Sequence, residues 1–242
     1  MQYKTELHAH TCEVSPCADL TVAEVTERYI AAGYTSLVLT NHYCDYVIDN
    51  AGESWEEKME HYLSAYYAMK EYAKDRLHIL LGCELRFTEN FNDYLIFGLT
   101  EEFLREHPNL HQMKLKTFSE LSRKSGLLLF QAHPFRNRMT VMDPKYLDGI
   151  EVFNGHHGHD SRNRLADAHA RHYGLLRCSG SDFHHVSSVE SGGILTDFPI
   201  TSMEQLVKVL REGDCELICA GPAAVRDKMG NMPAKYEMES LY

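Results

Sequence analysis

The 242-residue chain has room for one large α/β domain or two small ones, so core size sets no limit on its stability. Its 24 Lys plus Arg stand against 35 Asp plus Glu, a formal charge of -11 that argues against extended nucleic-acid binding and against attraction to an anionic membrane surface. The seven cysteines are scattered without CxxC spacing, the N-terminus lacks a positive region followed by an apolar one, and no stretch nears the ~18 apolar residues of a membrane span; a cytoplasmic protein is expected.

In chain order, "ELHAH" predicts a first strand at Glu6 to His10. Thr21 with Glu24 forms a capping-box pattern that opens a helix running to about Ala32, with Gly33 as its stop, and "SLVLT" follows as the next strand. Ser54 with Glu57 opens a second helix, to about Lys74. Its stripe of Tyr62, Tyr66, Met69 and Ala73 has helical spacing and reads as packing against the sheet. Strands recur at "HILLG", "YLIFG", "LLLFQ", "GIEVF" and "LLRCSG", with "EEFLREH" between them as a solvated helix face. A helix from near Thr201 ends before Gly213, and "ELICA" is the last strand. Alternating strands and helices predict parallel strands with crossover helices, in one α/β domain over 1–242 without an internal linker. From Gly221 onward the chain reads as a less regular tail over about 221–242.

In such folds functional groups collect at the carboxyl ends of strands. His8 and His10 lie two apart at the end of the first strand and so share a face. The following strand ends deliver His42, Glu84, His133, and then Asp182 with His184. Five of these seven groups are imidazoles, and histidine is not a preferred helix cap, so capping does not explain them. Mixed nitrogen and oxygen donors suit zinc, manganese or iron better than calcium or magnesium. Seven donors exceed what one ion with an open position uses, so at least two ions are expected, bridged by Glu84 or Asp182.

The motifs "HAHT", "TNH", "GCE", "AHP" and "GSDFH", in that order over Glu6 to His184, resemble the PHP (polymerase and histidinol phosphatase) domain family. The resemblance implies a distorted (β/α)7 TIM-like barrel of the PHP type, two or three divalent transition-metal ions (zinc, manganese or iron) at the carboxyl ends of its strands, and phosphoester hydrolysis. Carried onto this chain, the family's ligands match His8, His10, His42, Glu84, His133, Asp182 and His184. After its first motif the family usually supplies one more ligand, where this chain reads "HTCEVSPCA". Glu13, Cys17 and Asp19 are candidates; Glu13 is favoured as a hard oxygen donor, while Cys17 sits closer to the expected position. Many members also carry a histidine near the strand after "GCE", where this chain offers Asp93.

Such a centre activates water directly, and the chain has neither a GxSxG elbow nor a Walker loop. Arg136, three residues after His133, is the expected catalytic cation for the substrate phosphate, with Arg138 as the alternative. The loop "NGHHGHD" places His156, His157 and His159 after a strand, where one could contact substrate or donate a proton; at least two of them are expected to be exposed. The expected activity is metal-dependent hydrolysis of a small phosphomonoester, histidinol-phosphate-like or nucleotide-like. The alternatives are a phosphodiesterase or nuclease acting on short oligonucleotide ends, and a non-catalytic metal-stabilised module. The expected partner is a small phosphorylated substrate, with no membrane.

Overall fold

A computed structural model of the chain describes residues 2–229. The first unit follows from its local sequence. β1 (Tyr3–Ala9) leads to α1 (Val22–Ala31), which opens on Thr21 and Glu24 in a reciprocal capping box and is followed by Gly33 at φ +77°. β2 (Tyr34–Leu39) then lies parallel to β1. β3 (His42–Tyr43) and the short α2 (Asp45–Ile48) precede α3 (Trp55–Ala73), which also opens on a capping box, from Ser54 and Glu57. Tyr62, Met69 and Ala73 of α3 are buried in the core, with Tyr66 packed against it.

The middle of the chain departs from strict strand–helix alternation. β4 (His78–Leu81) and β5 (Cys83–Arg86) are separated only by Gly82, where an added Cβ would fall 2.6 Å from Val38 Cγ1. β6 (Asp93–Phe97) pairs antiparallel with β5, because the six residues between them are too few for a crossover helix. α4 (Glu101–Glu106) buries Phe103 and Leu104 beneath its solvated face, and α5 (Leu115–Lys124) leads to β7 (Leu128–Gln131), antiparallel to β6. β8 (Gly149–Asn154), α6 (Asn163–Tyr173) and β9 (Leu176–Gly180) restore the parallel order. β10 (Ile194–Thr196) turns back antiparallel to β1, and after α7 (Met203–Glu212) only Glu216–Leu217 of "ELICA" forms a strand, β11. The expected irregular tail begins instead with a helix, α8 (Gly221–Met229), whose Ala223 and Ala224 are buried with Phe153; residues 230–242 lie outside the described residues.

These strands form two sheets, ordered β11-β10-β1-β2-β4 and β3-β5-β6-β7-β8-β9, and not one closed ladder. The chain passes from the first to the second twice, at 40–41 and at Gly82. On the opposite flank, His10 N–H donates to Phe183 O at 3.0 Å and Phe183 N–H donates to His8 O at 3.3 Å. Leu7, Val38, Leu80, Leu95, Phe97, Leu128, Phe130 and Cys178, from strands of both sheets, form one buried cluster with Leu206, Val209 and Leu210 of α7. Among the described residues, no helix is long and apolar enough to cross a membrane.

Candidate metal centre

The polar residues predicted at the strand ends meet beside this cluster. β1 presents His8, and His10 follows one residue past its end; both rings are fully buried. The parallel pairing of β3 with β5 sets His42 opposite Glu84. Glu84 Oε2 lies 3.4 Å from His8 Nε2, 3.2 Å from His10 Nε2 and 3.0 Å from His42 Nδ1, while Glu84 Oε1 is 3.0 Å from His133 Nε2. Asp182 Oδ1 lies 3.4 Å from His8 Nε2, 3.7 Å from His10 Nε2 and 3.1 Å from His184 Nδ1. His133 and Asp182 hold positive φ of 29° and 48°, a conformation that costs non-glycine residues on the order of 1–3 kcal/mol and that recurs at functional sites.

The donor atoms themselves show what the cluster suits. His8 Nε2, His10 Nε2, His42 Nδ1, Glu84 Oε2 and Asp182 Oδ1 are buried, point inward and have no protein hydrogen-bond partner. Leaving such atoms unsatisfied is costly, and a shared cation satisfies them all. Donors about 2.0–2.2 Å from one ion sit about 3–3.5 Å apart, the spacing seen here. Three overlapping groups can hold an ion: His10, His42 and His184; His8, His10, Glu84 and Asp182; His42, Glu84 and Asp93. His133 stands outside these groups but touches Glu84 and lies 3.8 Å from Asp93.

A second layer aims the rings. His8 Nδ1–H donates to Glu151 Oε1 at 2.9 Å, which turns Nε2 toward the centre. Glu151 Oε2 accepts from His133 N–H and from Asn154 Nδ2, and the same amide reaches Asp182 Oδ2 at 3.0 Å. Fully buried Glu6 accepts from the backbone N–H groups of Leu7, His8 and Ser181 and from Tyr29, tying β1 to the loop that carries Asp182. A Cβ on Gly180 would fall 2.3 Å from His8 Cβ and 2.7 Å from Glu151 Oε1, so only glycine lets this loop pass. Sequence reasoning missed Glu6, Glu151 and Asn154; the signal was there, as charged residues inside the apolar runs "TELHA" and "GIEVF".

The electrostatics are those of a tight mixed-charge cluster. Burial opposes protonation of His8, but Asp182, Glu151 and Glu84 outweigh it and hold its pKa well above the ordinary value. His42 and His133 are raised in the same way against burial, chiefly by Glu84, and His184 is raised to about 9 by Asp182. His10 is held well below the ordinary value by burial and by its neighbours His184 and His42. Burial pushes the carboxyls of Glu84 and Asp182 up, but the surrounding imidazoles, His8 first, bring both well below the carboxylate range.

Glu13 does not join the cluster. Its Oε1 accepts from Val22 N–H at 2.9 Å, at the start of α1, so the carboxylate expected as a ligand serves a helix end. Asp19 pairs with His185 Nδ1 at 2.9 Å. Of the three alternatives, Cys17 lines the cavity beside the cluster; burial would raise its thiol, but hydrogen bonds to His184 and His42 bring it down to about 6. That cavity, about 200 Å³, is also lined by Arg136, Arg86, Tyr46, His156 and His159. Arg86 is held by Asp93 at 2.7 and 2.8 Å, Arg138 is exposed, and Arg162 is bound to Phe135 O and Asn137. Of the histidine loop, only His157 turns outward, toward Ser187; both His156 and His159 face the cavity, contrary to expectation. A larger cavity of about 880 Å³ near α6 and β11, lined by Arg164, Arg171, Arg177 and Asp167, shares no lining residue with the one beside the cluster.

A family model described as PHP-associated matches residues 160–215. A two-domain protein of Bacteroides vulgatus containing a predicted PHP-like metal-dependent phosphoesterase shares the fold, with TM-score 0.64 and 15% identity over 94% of this chain and 69% of that one. The fold is shared with PsfC of Pseudomonas syringae (TM-score 0.63, 14% identity, 100% of this chain and 99% of that one). It is shared also with the lesion-specific endonuclease PfuEndoQ of Pyrococcus furiosus (TM-score 0.63, 15% identity, 90% of this chain and 58% of that one). At these identities the likeness is one of fold. No curated protein matches the sequence.

Proposed function

We propose that this chain is a metal-dependent phosphoesterase of the PHP type that hydrolyses a small phosphomonoester, histidinol-phosphate-like or nucleotide-like. The observation that carries the reading is the convergence of five buried donor atoms without a protein hydrogen bond, three imidazole nitrogens of His8, His10 and His42 and one oxygen each of Glu84 and Asp182. His8, His10, His42, Glu84, Asp182 and His184 hold two or three divalent ions, zinc, manganese or iron, with His133 and Asp93 completing the Glu84 side. When bound, such ions acidify water and neutralise charge on phosphoryl oxygens. Arg136, at the cavity wall, orients the phosphate through a two-pronged guanidinium contact. His159 stands near Arg136, and burial with that neighbouring charge holds its pKa below the ordinary value, so it faces the substrate as a neutral imidazole. We read the two sheets as parts of the distorted barrel expected of the PHP type, joined through the contacts of His8 and His10 with Phe183 around the shared apolar cluster. The absence of disulfides among seven free cysteines supports a cytoplasmic setting.

A small cavity of about 200 Å³ favours a terminal phosphate on a compact leaving group. PfuEndoQ is named as an endonuclease, so cleavage of nucleic acid is the competing reading, and the charge of -11 weighs against it. Activity of the metal-loaded chain against a panel of phosphomonoesters, phosphodiesters and lesion-bearing DNA decides: monoester turnover supports the proposal, and cleavage confined to DNA overturns it.

A further inference from the structure

We infer that Cys17 is itself a metal ligand, its thiolate completing with His10, His42 and His184 a nitrogen-and-sulfur position that selects zinc or cobalt over manganese. The assignment rests on the metal-site reading above. His10, His42 and His184 bring their donors together, and His10 Nε2 and His42 Nδ1 are buried without a partner. The carboxylate oxygens that reach this group, Glu84 Oε2 at 3.2 Å from His10 Nε2 and 3.0 Å from His42 Nδ1 and Asp182 Oδ1 at 3.1 Å from His184 Nδ1, are shared with the neighbouring group around His8, so a thiolate would add the anionic donor that belongs to this position alone. The acidic residues nearest in sequence are committed elsewhere, Glu13 to Val22 N–H and Asp19 to His185.

The loop that carries Cys17 is fixed on both sides to the histidines in question. Ser15 Oγ accepts from His42 N–H at 3.0 Å and approaches His10 Nδ1 at 3.3 Å, while Asp19 N–H donates to His184 O at 2.8 Å. Cys17, two residues from each tie, lines the cavity with His42 and His184. Cys17 would coordinate as the thiolate, any proton it carries leaving to solvent. Thiolate is a soft donor that suits zinc and cobalt, whereas manganese prefers oxygen. One chain thereby offers two unlike positions, a sulfur-bearing one and a carboxylate-bearing one at Glu84 and Asp182.

The test is titration of the metal-free full chain with Co²⁺, followed by absorption. Visible d–d bands report a bound ion whatever its donors; a near-ultraviolet sulfur-to-cobalt charge-transfer band requires a thiolate. The wild type is expected to show both. Cys17→Ser should keep visible bands, lose the charge-transfer band, and weaken zinc binding at that position at least ~10-fold, the scale on which even second-layer losses act, with manganese binding little changed. Visible bands without charge transfer in the wild type, or a charge-transfer band surviving in Cys17→Ser, overturns the assignment. If no band grows, the metal-site reading fails and the assignment with it.

Discussion

Glu84 receives four histidines at 3.0–3.4 Å through its two oxygens, so its charge holds the cluster together. Glu84→Gln keeps the shape and removes that charge; metal content measured by elemental analysis should fall by at least one ion per chain, and retention of every ion would show that Glu84 does not bridge. Arg136 differs in kind, since its guanidinium faces the cavity and not the donors. A charge-assisted contact worth about 1.5–3 kcal/mol predicts that Arg136→Ala lowers kcat/KM on the best phosphomonoester ~10- to 100-fold at unchanged metal content. Unaltered kinetics would leave Arg136 a wall residue. Protons are the third residue-scale readout. His8, His42, His133 and His184 have raised pKa values in the metal-free chain, so they hold protons to higher pH than a free imidazole does. Raised folded pKa values stabilise the metal-free protein fully below the ordinary histidine value, and that contribution is lost as pH rises through the raised values. Metals compete with the same protons, so zinc affinity should climb as pH rises through neutrality, and calorimetry in buffers of different ionisation heat should show net proton release. Proton-neutral loading would contradict this electrostatic picture.

At the scale of elements, Glu13 separates helix support from metal binding. Its carboxylate accepts from the first N–H of α1, so Glu13→Ala should cost about 0.5–2 kcal/mol, read as a lower thermal midpoint, with metal content unchanged. Loss of an ion in that variant would restore Glu13 as a ligand. The bounds of α1 and α3 were legible because capping boxes are local: Thr21 with Glu24 and Ser54 with Glu57 announce themselves within one turn. β3, β10 and the separation of β4 from β5 were not, because strands of two to four residues are defined by partners distant in the chain. The antiparallel β5–β6 pair was misread for a similar reason; its apolar runs fit either direction, and only the short connection decides. The course of the 11–19 loop was hidden too, since the bond from Asp19 to His184 that sets Cys17 beside the cavity joins residues far apart in the chain.

For the whole molecule, six of the predicted donors meet because strand ends from both sheets reach one place, and alternation along β1 alone already set His8 and His10 toward it. What composition and motifs left unread was the supporting carboxylate layer of Glu6 and Glu151, whose buried charges acquire meaning only beside His8, His133 and Ser181. The same layer fixes donor atoms in advance, so ions should bind to a prepared site and not order a loose one. The central claim is that these donors serve more than one ion. Elemental analysis of metal-loaded, dialysed protein tests it most directly: the account predicts at least two transition-metal ions per chain, and a content of one ion or none would contradict it.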